Sequence, residues 1–176
     1  MSAILHERPG VYSSYDASAA VRGGRAARTV GVAAKSVSGT ANAAVRLTSY
    51  EMGLSAFGED AEGTPGMSAI LKLLFLGGAS TVVAVKVDED DYAAAFRVLQ
   101  TVENLQVIVC DSGELTVQQA LRVSLESASA ARRERIAVVG MSDASTADLT
   151  ERAKALNSER MVLVGPDGLD GAGKPV

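Results

Sequence analysis

Near its carboxyl end the chain carries Gly168-Leu-Asp-Gly-Ala-Gly173-Lys174-Pro175, which follows the phosphate-binding pattern G-x-x-x-x-G-K up to its last position. That pattern needs a Ser or Thr after the lysine to hold Mg²⁺, and a helix whose first amides cradle the phosphates. Pro175 stands where the hydroxyl belongs, and no helix follows it. Asp88-Glu-Asp-Asp91 offers the oxygen ligands a divalent cation prefers, but it also opens a helical pattern, where acids are favoured by the helix dipole. With Asp111 and Ser142 it has the composition of a phosphoacceptor receiver site. A receiver places an extra strand and helix between its acidic pair and its acceptor, whereas Asp88 and Asp111 end consecutive strand-like runs. A Ser-His-Asp or Cys-His system would have to use His6, the single histidine, from a polar stretch without packed neighbours to orient it. No G-x-S-x-G elbow is present. Cys110 closes the apolar run Gln106–Cys110 and reads as a buried thiol without an activating base. These residues nominate no catalytic group, no metal ligand and no cofactor.

The elements that would position such groups follow a clear rhythm from residue 81 onward. Thr81–Val87, Val107–Val109, Ile136–Val139 and Met161–Val164 are short β-branched runs. Between them lie helical patterns over 90–102 (Tyr92, Phe96 and Leu99 on one face), 114–132 (Val117, Leu121, Leu125, Ala128) and 146–156 (Leu149, Ala153, Leu156). Strands alternating with amphipathic helices predict an α/β fold, a mainly parallel sheet flanked by helices. Upstream, Thr29–Ala34 is a further strand, 35–42 a Ser/Gly/Thr loop, and Ser49 an N-cap for a short helix ending near Phe57-Gly58. Pro65 is placed to open a helix over Met67–Leu76, stopped by Gly77-Gly78. That helix is apolar nearly all round and is expected to be sandwiched. Residues 1–28 cannot bury enough apolar surface to hold themselves and are expected to form an extended arm. After Val164 the βα rhythm stops in a Gly/Pro-rich tail, so the fold is expected to be incomplete.

Composition narrows the function classes. Of 176 residues, 47% are hydrophobic and 22% charged, with no Trp, an ordinary globular profile rich in small apolar residues. A net charge of −4 and a pI near 5.1 supply no basic field for nucleic acid. The clusters Arg22, Arg25, Arg28 and Arg132, Arg133, Arg135 lack interleaved aromatics. A single Cys excludes an intrachain disulfide and suits a reducing compartment. The N-terminus is too short and polar for a signal peptide, and Met67–Leu76 falls well short of the roughly 20 residues a membrane helix needs.

Read together, Arg8-Pro9-Gly10-Val11-Tyr12, Thr29–Ala34, Thr48-Ser49-Tyr50-Glu51, Phe57-Gly58 and Ala155-Leu-Asn-Ser-Glu-Arg-Met-Val-Leu-Val164 form an ordered set. In order and spacing they resemble the tail sheath proteins of contractile bacteriophages and related contractile particles. The likeness runs over essentially the whole chain and corresponds to the N-terminal half of a typical subunit. It implies two regions: an arm at 1–28, and a sheath-type α/β domain at 29–176 from which the usual C-terminal half is absent. The function implied is a structural subunit or fragment of a sheath, polymerising around a tail tube and contracting during injection, with no enzymatic activity. Its partners would be other copies of the subunit (a homo-oligomer when the subunit is complete) and the tail tube protein, with neither nucleic acid nor membrane insertion. It would assemble in the bacterial host cytoplasm and reside in the virion tail or a phage-tail-like particle. Arg8, Pro9, Gly10, Val11 and Tyr12 would form the subunit-linking arm, adding a strand to a neighbour's sheet edge. The alternative is a small α/β nucleotide-binding module or enzyme with its site at the carboxyl ends of the strands, around Asp88, Asp111, Ser142 and Asp167.

Overall fold

The computed structural model describes residues 29–61, 66–141 and 145–165. The arm residues Arg8 to Tyr12, Pro65, Ser142, Asp167 and the Gly168–Lys174 loop lie outside them. The elements run β1 (Thr29–Ala34), β2 (Ala44–Leu47), α1 (Tyr50–Phe57), α2 (Met67–Leu76), β3 (Thr81–Lys86), α3 (Tyr92–Thr101), β4 (Val107–Cys110), α4 (Leu115–Ala130), β5 (Ile136–Gly140), α5 (Thr146–Leu156) and β6 (Met161–Val164). The six strands form one sheet in the order β2-β3-β1-β4-β5-β6, parallel throughout except for β2, which pairs antiparallel with β3. The α/β architecture expected from the alternating pattern is therefore present. β2 is an element the pattern of Val45-Arg46-Leu47 did not disclose: four residues give too short an alternation to separate a strand from a loop.

Every residue of β1 is buried, because β3 and β4 flank it and helices cover both its faces. Its sequence suits that position. Val32 and Ala34 join Leu47, Phe57, Met67, Leu71, Val82 and Ala84 in a core under α1 and α2. Ala33 joins the opposite core, where α3 and α4 bring Phe96, Leu99, Leu121 and Leu125 onto Val83, Val85, Ile108 and Ala137. Gly31 is small for a reason of packing: a Cβ there would stand 3.0 Å from Leu105 Cδ2 and 3.3 Å from Leu99 Cδ2. The carboxyl end of α3 and the loop after it thus close onto the sheet where β1 has no side chain.

Local chemistry sets the helix ends. The Ser49 side chain accepts from Met52 N–H as the N-cap of α1, as its position in sequence predicted. Asp91 caps α3 through Ala94 N–H, and Ser145 with Asp148 forms a capping box on α5. The start of α2 is capped from a distance. Asp60 Oδ2 accepts from Gly66 N–H and Ala69 N–H, each at 2.9 Å, while the Ser68 hydroxyl accepts from Asp60 N–H at 3.1 Å.

Two helices pack less fully than their patterns suggested. α2 is not sandwiched: Met67, Ser68 and Leu71 are buried, but Leu73 and Leu76 are exposed, Leu76 to 76%. The helix lies as the outermost layer over β1 and β3, and no described element packs above it. On α5, Leu156 is buried and Leu149 half-buried, while Ala153 faces solvent.

Asp60 gives the α2 cap a pH signature. Partial burial pushes its carboxyl upward, but hydrogen bonds from Ala69 N–H, the Ser68 hydroxyl and Gly66 N–H outweigh that and hold it below the ordinary aspartate value. A folded-state value below the unfolded one contributes stability that is present above about pH 4 and is lost as pH falls through the folded value. Asp60→Ala is expected to lower stability by about 1 kcal/mol at pH 7. In urea titrations the gap to wild type should narrow below about pH 4; a gap independent of pH would contradict the assigned cap.

Candidate functional site

The crossover from β1 to β3 covers one face of the sheet and the crossover from β3 to β4 the other, so the chain directions part at the carboxyl end of β1. Open α/β sheets bind ligands in such a crevice. Here Lys35, Asp90, Tyr92, Asp111, Ser112 and Glu114 line a cavity of about 590 Å³. Asp111, carried past the end of β4, is the hub. Its Oδ2 accepts from Lys35 N–H at 2.8 Å and its Oδ1 accepts from the Tyr92 hydroxyl at 2.6 Å. Lys35 Nζ in turn pairs with Asp90 Oδ1 at 2.6 Å.

The electrostatics follow from these contacts. Burial, together with the hydrogen bond to Asp111 and its charge, holds the Tyr92 phenol far above its usual range, so it stays a donor under all ordinary conditions. The hydrogen bond to Asp90 raises the Lys35 ammonium, against a smaller desolvation effect. A general base needs a free lone pair aimed at substrate, and a nucleophile needs an activating neighbour. Both Asp111 oxygens are engaged, and Lys35 is held protonated. The arrangement ties together the tips of β1, β3 and β4. Of the residues considered for a nucleotide site, Asp111 lies in the crevice while Asp88 is exposed beyond the end of β3 and takes no part in its lining. Asp90 occupies the place Asp88 was expected to fill. Asp88 and Asp111 end successive strands in the chain, but β1 lies between those strands in the sheet. Among the described residues no group of three or more His, Cys, Asp and Glu could hold a metal ion, and no helix is long and apolar enough to cross a membrane.

The surface offers a larger feature than the crevice. α1 and α2 cover one face of the sheet only over β2, β3 and β1. Across β4, β5 and β6 the same face continues in register, as Val107 beside Ile136, Val109 beside Val138 and Val162, and Gly140 beside Val164. No described element covers it. Ile136 is 42% exposed, Val162 47% and Val164 51%, while Met161 and Leu163 on the other side of β6 pack into the core under α3 and α4. Parallel strands normally have both faces buried, so this face is open among the described residues where a parallel sheet is ordinarily covered. Leu73 and Leu76 on α2 and Met52 on α1 add to the exposed apolar surface of the described residues.

No family model matches the chain, and no curated protein matches it significantly. Its fold is found in solved structures. One is a chain of the anti-feeding prophage helical sheath in its contracted state, solved by cryo-EM: TM-score 0.58 and 19% identity, over 93% of this chain and 46% of that one. Another is a chain of the anti-feeding prophage baseplate: TM-score 0.55 and 15% identity, over 94% of this chain and 48% of that one. The chain thus shares its fold with structural components of contractile tail-like particles and spans about half the length of the chains it matches. At these identities the likeness is one of fold.

Cys110, last residue of β4, borders the crevice region and tests its closure. Burial pushes its thiol up to about 11. Alkylation by iodoacetamide at pH 8 is expected to run about two orders of magnitude slower than for an unperturbed cysteine, whose thiol titrates near 8.5. A rate close to that of a free thiol would mean that the carboxyl ends of the strands are open to solvent.

Proposed function

We propose that this chain is a structural subunit, or part of one, of a contractile tail sheath, which packs against other copies of itself around a tail tube protein. The observation that carries the reading is an apolar sheet face over β4, β5 and β6 that no described element covers and that suits packing against a neighbouring polypeptide. The shared fold with a sheath chain and a baseplate chain supports a place in such a particle. The resemblance of the ordered segments from Arg8 to Val164 favours the sheath over the baseplate. In this reading residues 8–12 link neighbouring subunits by adding a strand to a sheet edge. The protein works in a phage tail or phage-tail-like particle after assembly in the host cytoplasm, and acts without catalysis. The engagement of Asp111, Tyr92 and Lys35 with one another favours this over a nucleotide-binding crevice.

Deleting residues 6–15 is expected to abolish tubes or rings in negative-stain micrographs while leaving the circular dichroism spectrum and cooperative melt of the core intact. Normal assembly of the deleted form would remove the arm from the mechanism. Val162→Glu probes the open face. At a surface position the change should cost less than about 0.5 kcal/mol of monomer stability, yet place a charge in the buried contact and stop assembly. Unaltered tubes from this variant would show that the face is not an interface.

A further inference from the structure

The arginines Arg132, Arg133 and Arg135 meet at the amino-terminal pole of the sheet, before β5. Arg135 is 3% exposed; its Nη1 donates to Leu99 O at 2.9 Å and its Nη2 to Val102 O at 3.2 Å. Arg133 Nη1 donates to Gln100 O at 2.7 Å. These bonds satisfy the last carbonyls of α3, where a cation is also favoured by the helix dipole. They do not neutralise the guanidinium charges, because every one of these acceptors is a neutral carbonyl. Arg135 Nε is buried with no hydrogen-bond partner. The acid within this run, Glu134, is committed elsewhere, to Arg160 and the Ser129 hydroxyl. Arg132, Arg133 and Arg135 with Asn104, Gln106 and Glu134 line a cavity of about 300 Å³. Three guanidiniums around one carboxylate that is already bonded to Arg160, one of them buried on neutral carbonyls alone, leave a net positive pole that favours an anion from outside.

The opposite pole carries the complement. β1, β3, β4 and β5 are parallel, so their carboxyl ends all lie away from the arginines. There Asp88, Glu89, Asp90 and Asp91 are exposed in sequence. Asp90 is matched by Lys35, and Asp91 is spent on the α3 cap. Asp88 and Glu89 stand at the tip of the turn, Glu89 with φ of 48°. We infer that the arginine pole of one copy receives the Asp88–Glu89 tip of a second copy, a head-to-tail contact between unlike surfaces. Contacts of that class propagate, closing into a ring or running on as a helical filament. The inference rests on the proposed self-assembly and specifies one of the surfaces that makes it.

Two variants, each with one pole neutralised, test the contact without requiring tubes. Arg132→Gln with Arg133→Gln removes the receiving pole; Asp88→Asn with Glu89→Gln removes the tip. Each alone should be monomeric by sedimentation velocity at about 0.05 M salt, whereas an equimolar mixture, which retains one native pole on each partner, should form a 1:1 dimer and go no further. Raising salt to about 0.5 M should weaken that dimer at least tenfold, since screening shortens the reach of exposed charges. Arg132→Gln alone, which leaves the α3 cap intact, guards against loss of fold in the double variant and should weaken association in the same direction. A mixture that stays monomeric, or single-pole variants that associate as wild type does, would overturn the head-to-tail contact. Tubes formed unchanged by both variants would leave the sheath reading standing and sink this one. A mixed dimer from a wild type that builds no tube or ring would do the reverse.

Discussion

A parallel sheet has to be covered on both faces, because each strand along it presents apolar side chains alternately up and down. β1 meets that demand within the described residues: α1 and α2 lie on one side, α3 and α4 on the other, and the two cores share it as their common wall. β6 does not, since its inner side chains reach the core while Val162 and Val164 face outward bare. Among the described residues the sheet is thus closed at one half and open on one face at the other.

The crevice at the end of β1 shows the same division from the other direction. Its position is where α/β proteins commonly bind ligands, and its residue types (Lys, Asp, Tyr, Ser) are those of active sites. The hydrogen bonds show them satisfying each other. Asp111 orients the backbone at Lys35 and the phenol of Tyr92, and so joins the ends of β1 and β4 to the start of α3. The polar groups there serve cohesion of the sheet tip, while the exposed apolar groups lie elsewhere, on α2 and on the open face of β5 and β6.

How much of this could be read from the chain alone varied with the range of the interaction. The β-branched runs and the helical faces of α3 and α4 (Tyr92, Phe96, Leu99; Leu121, Leu125, Ala128) were legible because their periods are local, as was the Ser49 cap. The place of β1 at the centre was not, since neither Thr29–Ala34 nor its pairing partners encode which strand lies beside which. α2 looked fully buried because Leu73, Leu74, Phe75 and Leu76 are apolar on all sides; sequence cannot say whether a second layer exists to cover them. The role of Arg135 was hidden for a related reason. Arg132, Arg133 and Arg135 read as loose surface charge, and only the tertiary approach of the α3 terminus turned two of them into a cap. The arm assigned to Arg8–Tyr12 lies outside the described residues, so the most specific expectation drawn from the sequence remains a proposal.

The central position of β1 also dictates an order of events in the growing polypeptide. Residues 29–34 are synthesised before either of the strands they pair with, residues 81–86 on one side and 107–110 on the other. Until both arrive, an apolar strand with two unpaired edges has no home in its own chain, the situation in which strands pair wrongly with other chains. Such distant pairings also fold slowly, because the intervening loops must close before any contact repays their lost entropy. Nascent copies made side by side therefore face a risk of premature entanglement through β1, and a chaperone that shields residues 29–34 until β4 emerges would relieve it.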